Sequence, residues 1–420
     1  MAKPIDHELF PEGVERCALS KFLVWMAFWT VVFLAGIYAA YVVFANGLGV
    51  TGLNNYFAFG LYITFDLAVI ALGAGAFFSG LLRYILKMDE LKNIINLTVI
   101  GGFFCYSGAM LILTMELGQP LRSWFGFWHA NVHSMLTEVI FCISCYLGVL
   151  IIEFLPNILE QRQLNRIAFL RHFAHNMHVF MPLFAGLGAF LSTFHQGSLG
   201  GMYGVMFARP FAFREGFFIW PWTFFLFVMS AAASGPCFSV LIVKCVELCS
   251  GKKMVSWKIK QLMGKISGAM LALYLFFKLI DTYDWAVNLL PTLGFTFDQM
   301  FYGIIYGKWL FWLELFVLGV IPAVILLTPR WRNTPFLFWS ACIMNCLGIS
   351  LNRYTITVQA LAAPVMPFDT WQIYVPAWTE ILPSVMVIAY GVLIVSLAYR
   401  YLPVFPQEIQ LNAPGNKEAA

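Results

Sequence analysis

Ten stretches of this chain stay apolar for about the thickness of a lipid bilayer. A helix rises about 1.5 Å per residue, so roughly 20 apolar residues cross the hydrocarbon layer. Such runs recur at residues 22–45, 57–82, 94–115, 132–155, 174–195, 217–243, 265–285, 306–327, 335–352 and 374–400. The connections between them are short, and no soluble domain fits there. With 61% of its residues hydrophobic and 11% charged, the composition excludes a string of soluble domains. The expected fold is an all-α integral membrane protein, a single polytopic domain over 1–420 with ten transmembrane helices. The opening segment MAKPIDHELFPEGVER is polar, and Phe22–Asn46 is too long for a signal-peptide core, so no cleavable leader is expected.

Lysines and arginines set the orientation. Placed on ten alternating spans, Arg122, Arg209, Arg214, Lys308 and Arg353 fall on one side, and Lys278 lies inside a helix. The other nineteen of the 25 basic residues fall on the side that carries both termini. Both termini are therefore expected in the cytoplasm. The net charge of +4 follows from this asymmetry and gives no sign of nucleic acid as a partner; the lipid bilayer is the partner the composition demands.

Small-residue motifs recur in the same order in two halves. Ala71-Leu-Gly-Ala-Gly-Ala-Phe77 in the second run pairs with Ser230-Ala-Ala-Ala-Ser-Gly235 in the sixth. Leu147-Gly-Val149 pairs with Leu318-Gly-Val320, and Leu187-Gly-Ala-Phe-Leu-Ser192 with Leu347-Gly-Ile-Ser-Leu-Asn352. Both quartets start on the same side, so their axis runs along the membrane normal. The reading is two four-helix bundles, 57–195 (helices 2–5) and 217–352 (helices 6–9), flanked by helices 1 and 10.

A polar group at membrane depth needs a reason. The side opposite the termini gathers Glu116, His129, His133, Glu138, His195, Gln196, Asp281, Asp284, Asn352, Arg353 and Glu380, with Asp66, Lys278 and Glu314 somewhat deeper. The other half holds only Glu153, His175 and His178, near its edge. His195 and Gln196 stand in Thr193-Phe-His-Gln-Gly-Ser-Leu-Gly-Gly201, where the fifth helix is expected to end and small residues allow close approach. Groups from seven helices at one level suggest a shared site. Reduction of a lipid-soluble quinone consumes two electrons and two protons, and His, Glu and Asp are the side chains that relay protons. His195, Glu138 and His133 are the expected catalytic set. Gln196, Asp281, Glu380 and Trp220 are expected beside His195 and Glu138 at the headgroup. Asp66, Tyr106, Ser107 and His178 mark a proton path through helices 2–5.

Other readings compete. The nine cysteines fall inside helices or at their ends, so they suggest packing residues and no disulfide framework. No ferredoxin-type cysteine run is present, and no metal site is expected. A di-haem cytochrome b needs histidines facing each other across a bundle; His129-x-x-x-His133 has helical spacing but no evident opposite pair. A secondary transporter often has helices broken at midplane, for which Pro322 is the candidate.

The same residues carry a resemblance. Glu116-Leu-Gly-Gln-Pro120-Leu-Arg122 resembles the [D/E]-L-G-x-P signature after the third helix of the NrfD-like, polysulfide-reductase-type membrane subunits. Ser134-Met-Leu-Thr-Glu138, His195-Gln-Gly-Ser-Leu-Gly200, Phe311-Trp-Leu-Glu314, Leu351-Asn-Arg353 and Pro376-Ala-Trp-Thr-Glu380 are similar to the ten-helix, hydrogenase-2-type branch. Within that branch the pattern is nearest to membrane subunits of menaquinone-reducing complexes. The resemblance implies menaquinone as substrate at a pocket near the periplasmic face. It implies no haem or iron–sulfur cluster in this chain. It also implies a ferredoxin-like iron–sulfur subunit docked on the periplasmic side, with a multihaem cytochrome c and a molybdopterin-type protein beyond it. The branch more often has serine where Gly197 stands, and Asp66 and Lys278 match no family motif.

A C-terminal tag on this chain is expected to resist protease in intact spheroplasts and to be cleaved once they are lysed. Cleavage before lysis would reverse the orientation.

Overall fold

The structure is a computed structural model that describes residues 8–204, 222–364 and 368–413. Among the described residues there is no strand. Ten helices are long and apolar enough to cross a membrane: α1 Leu19–Asn46, α2 Leu61–Ile85, α3 Ile95–Glu116, α4 Met135–Leu159, α5 Ala168–Gly204, α6 Thr223–Ser250, α7 Trp257–Thr292, α8 Lys308–Leu327, α9 Pro335–Ala362 and α10 Trp378–Tyr401. In lipid every backbone group must be satisfied within the protein, and a helix does this within one segment. Gly47 ends α1 because its φ of 77° turns the chain where a side chain would strain.

The helices pack as two quartets. In the first, α2 lies on α3, α3 on α4, α4 on α5 and α5 back on α2; in the second, α6–α7, α7–α8, α8–α9 and α9–α6 repeat the circuit. The quartets meet where α2 touches α6 and α9 while α6 touches α2 and α5. Exchanging α2 with α6 and α5 with α9 maps these contacts onto themselves, the pattern required by a two-fold along the membrane normal. Burial agrees: in their most apolar windows 78% of α2 and 72% of α6 residues are inside, against 17% of α1. Helices α1 and α10 do not flank the pair from opposite sides. They pack on each other, and α10 lies on α3, so both sit beside the first quartet.

The central crossing depends on two glycines. A Cβ on Gly235 would fall 2.7 Å from Gly75 Cα and 2.8 Å from the Ala74 carbonyl carbon. Nearby, Ser234 Oγ donates to the Ala71 carbonyl (3.3 Å). Pro236 follows at once within α6. Pro182 likewise lies inside α5, so Pro322 is not alone as a proline within a span.

Two spans outrun their apolar signal. Helix α5 has 37 residues and α7 has 36, each about 54–56 Å long. The 196–204 stretch of α5, expected as loop because it is rich in glycine, continues the helix. Its glycines are packing sites: a Cβ on Gly200 would meet the Thr223 backbone and Phe227 of α6, and one on Gly197 the ring of Phe224. Conversely, residues 129–134 are not helical and α4 starts at Met135.

Both chain ends share one face. Arg16 donates to Glu408 (2.6 Å) and stacks on Tyr399, with 4.0 Å to the ring centroid. Gln161 of the α4–α5 loop donates to the Leu9 carbonyl (3.1 Å). Gln407 bridges the Asn93 (3.0 Å) and Met254 (2.6 Å) carbonyls of the α2–α3 and α6–α7 loops.

Gly235→Leu is expected to push α6 off α2, at a cost above the ~1–3 kcal/mol of ordinary overpacking because backbone cannot give way. The measurement is the recovery of monodisperse protein and its thermal midpoint. Wild-type behaviour would show that the crossing can open.

Candidate functional site

The polar residues of the face opposite the termini do not form one site. They divide into a clamp at the surface and one cluster inside each quartet.

Glu380 is the clamp. It is fully buried in the first turn of α10, and both its oxygens are occupied. Oε2 accepts the Gly52 (2.6 Å) and Ala377 (3.0 Å) backbone N–H groups, and Oε1 accepts the Tyr374 hydroxyl. The same hydroxyl accepts the Leu61 N–H (2.7 Å). Burial, together with its bond to the Glu380 carboxylate, pushes the Tyr374 phenol well above its ordinary pKa, so it stays a donor. Glu380 therefore ties the 47–60 and 371–377 loops to α2 and α10.

Inside the first quartet, α3 and α5 bring Tyr106, Ser192, His195 and Gln196 together, all buried. Tyr106 and Ser192 hydroxyls lie 2.8 Å apart, and Gln196 Nε2 donates to Tyr106 (3.3 Å). The Tyr106 ring stands 4.6 Å from Tyr146 and 5.8 Å from the His195 ring. His195 lies nine residues before the described end of α5 rather than at its cap. Its ring rests against the backbone of Val139, next to Glu138 on α4, yet neither ring nitrogen makes a well-formed hydrogen bond. Glu138 stands half-buried in the first turn of α4. Asp66 on α2 is 3% exposed, its Oδ1 has no partner, and it is a neighbour of Tyr106.

Glu116, at the end of α3, has Asp66 and Glu380 as neighbours and leaves both carboxyl oxygens buried without partners. Sequence reasoning assigned Glu116 to a motif and to the polar level but not to the site. The signal available was its place opposite Asp66 once α2 and α3 are paired antiparallel. Orphaned polar atoms in native interiors need an explanation. Here His195, Asp66 and Glu116, on three helices of the first quartet, all leave such atoms.

Inside the second quartet one ion pair stands among further buried polar groups, with Asp281 Oδ2 left without a hydrogen bond. Lys278 of α7 holds Glu314 of α8, whose Oε1 also accepts Asn352 Nδ2 (3.0 Å). Arg353, 1% exposed, donates to Asn352 (2.9 Å) and Ser230 (2.7 Å), and its guanidinium stacks 3.7 Å from the Phe227 ring centroid. Asp281 belongs here, near Lys278 on α7, and not with His195. Thr64 and Thr357 hydroxyls meet at 2.6 Å between α2 and α9, one of the contacts that join the quartets.

Other expected residues are elsewhere. His133 is exposed, its backbone N–H on Asn131 Oδ1 (3.0 Å). His129 is exposed too, and the two are not on a helix. Ser107 turns to α10, 3.0 Å from the Tyr390 hydroxyl, and away from the quartet's interior. His178 bonds Glu160 (2.7 Å) at the terminal face. There it lines a small, partly open pocket with Glu153, Asn157, Asn96 and Tyr84. Trp220 lies outside the described residues. Among the described residues no group of three His, Cys, Asp or Glu side chains is arranged to hold a metal ion.

Comparison with known proteins places this architecture. Residues 49–364 match the family described as polysulphide reductase, NrfD. The chain is 68% identical to the menaquinone reductase integral membrane subunit of Nitratidesulfovibrio vulgaris over 97% of this chain and 98% of that one. It is 25% identical to the probable Ni/Fe-hydrogenase 2 b-type cytochrome subunit of Escherichia coli over 86% of this chain and 87% of that one. It is 21% identical to a selenate reductase subunit of Mesobacillus selenatarsenatis over 91% of this chain and 95% of that one. A match over most of the chain together with so close a relative is decisive: the chain belongs to the polysulphide reductase NrfD family.

Proposed function

We propose that this chain is the quinone-binding membrane subunit of a respiratory oxidoreductase complex that reduces menaquinone, with the headgroup held in the first quartet beside His195. The observation that carries the reading is a fully buried imidazole whose two nitrogens have no well-formed bond, flanked by Tyr106, Gln196 and the Glu138–Val139 turn. A quinone carbonyl accepts hydrogen bonds, and an imidazole N–H supplies one. The name of the Nitratidesulfovibrio vulgaris relative supports menaquinone as the substrate.

Each side chain then has a task. His195 donates to one carbonyl and passes a proton as the ring is reduced. Gln196, through Tyr106, fixes the plane of the donors. Glu138, Asp66 and Glu116, as carboxylic acids, hold and transfer protons. Electrons arrive from a partner's iron–sulfur cluster docked on the face opposite the termini, over the described loops at 117–134 and 368–377. A multihaem cytochrome c and a molybdopterin-type protein lie further out. That face is periplasmic if the lysines and arginines follow the usual rule.

Protons enter from the terminal face, at the pocket of Glu153, Asn157 and His178. They cross an apolar gap by water to Tyr106 and Ser192, then reach His195 and Asp66. The name of the Escherichia coli relative raises a b-type haem. Among the described residues the five histidines other than His195 are all exposed, which does not favour an axial pair.

One experiment tests the reading. The intact complex is sealed in liposomes with a menaquinone analogue and an external electron donor. His195→Ala is expected to slow quinone reduction roughly 10²-fold while the complex still assembles; unchanged kinetics remove His195 from the site. Wild-type turnover is expected to build a membrane potential, and Asp66→Asn to reduce it. Turnover without a potential means that protons come from the electron-input side.

A further inference from the structure

The terminal face of the second quartet carries a charge that nothing in the proposed redox chemistry uses. Segments 244–265 and 328–339 hold eight lysines and arginines and one acid, Glu247. A lysine excess on one side of a membrane protein is ordinary. The arrangement of these is not. Lys244 lies within α6, six residues before its end at Ser250. It is half-buried, its Nζ stands 5.3 Å from the Trp339 ring of α9, and it makes no ion pair among the described residues. From the other side Lys260 of α7 reaches the same ring at 5.9 Å. Lys260 is held by both oxygens of Glu247 (2.8 and 2.6 Å). Glu247 also accepts the Met254 (2.9 Å) and Val255 (3.3 Å) backbone N–H groups. Three of these four bonds fall on Oε1, and the carboxylate brings a single negative charge to the corner.

Lys253 immediately precedes Met254, whose backbone N–H is bound to Glu247, so it stands on the loop that closes this corner. Three lysines thus share one corner with one carboxylate. Helix α7 starts at this corner with no side-chain cap and no acid in its first turn, so its N-terminal dipole adds to the positive potential. The corner borders lipid. Beside Lys244, Cys245 and Leu248 of α6 are exposed, and along α9 so are Phe336, Ile343 and Leu347. Trp257 stands 6.1 Å from Trp339, and such rings settle at the headgroup level.

We infer that this corner between α6, α7 and α9 binds the phosphate headgroup of an anionic phospholipid, with Lys244 and Lys253 as the charge partners, Trp339 as the platform and Glu247–Lys260 as the fixed base. The ligand class follows from position. An anion that reaches a lysine inside a membrane span, beside exposed leucine and phenylalanine, must bring acyl chains with it. A headgroup with two phosphates meets both free lysines at once. The site is independent of the quinone reading.

The test is native mass spectrometry of the delipidated full-length chain, titrated with diphosphatidylglycerol, with phosphatidylcholine of the same acyl chains, and with inorganic phosphate. Diphosphatidylglycerol is expected to bind more tightly than phosphatidylcholine, and inorganic phosphate at the same concentration should not displace it. Each lysine removed should weaken binding about five-fold: Lys253→Gln once, Lys244→Gln with Lys253→Gln about 25-fold, while Lys244→Arg retains it. Lys308→Gln, on the opposite face, should change nothing. Lys253 is exposed on a loop, so its variant will fold even where Lys244→Gln does not. Wild-type affinity in Lys253→Gln and in the double variant overturns the site. Displacement by inorganic phosphate overturns the lipid assignment in favour of a free anion.

Discussion

The whole arrangement depends on how closely α2 and α6 can approach. Where Gly75 faces Gly235, backbone lies on backbone, with no room for a side chain. Association of helices in lipid draws little from the hydrophobic effect, so tight van der Waals packing must supply it. From this crossing each quartet closes on itself and presents its own interior. The small residues of α5 serve the same end: Gly197 and Gly200 let α6 approach, and this contact sustains a helical conformation for residues that in water would favour a turn.

That contact also marks how far the sequence could be read. Ten spans were legible because bilayer thickness fixes the length of an apolar run. The repeat was legible because close packing demands small residues at matching places. The end of α5 was not, because glycine signals both a helix stop and a helix–helix contact, and only the partner helix decides between them. His195 was found as a polar residue at depth, but it was read as the last turn of a helix that in fact continues to Gly204 at least.

Depth alone misled at other positions. Residues at one level along the membrane normal can face different interiors. Asp281 shares a level with Glu138 but faces Lys278 in the other quartet, and Glu380 is taken up by loop N–H groups. Ser107 is next to Tyr106 in sequence, and on a helix neighbours point some 100° apart, so it meets α10 instead. The direction of a side chain around its helix depends on which helices flank it, and pairings of that kind are not written in hydropathy.

The two interiors share a fold but differ in charge balance. In the second, Lys278 meets Glu314, and Arg353 is shared among Asn352, Ser230 and an aromatic face, while Asp281 makes no ion pair among the described residues and leaves Oδ2 without a hydrogen bond. A buried pair broken by removing one partner is costly, so the Lys278–Glu314 pair resists change. In the first, Asp66 and Glu116 form no ion pair among the described residues and leave buried oxygens without a hydrogen bond. A carboxylic acid that is not committed to a cation can bond to a guest and give up or accept a proton at small structural cost. The Thr64–Thr357 contact joins the two quartets between α2 and α9; in the proposed reading the first quartet carries the chemistry on a scaffold that the Lys278–Glu314 pair helps to hold.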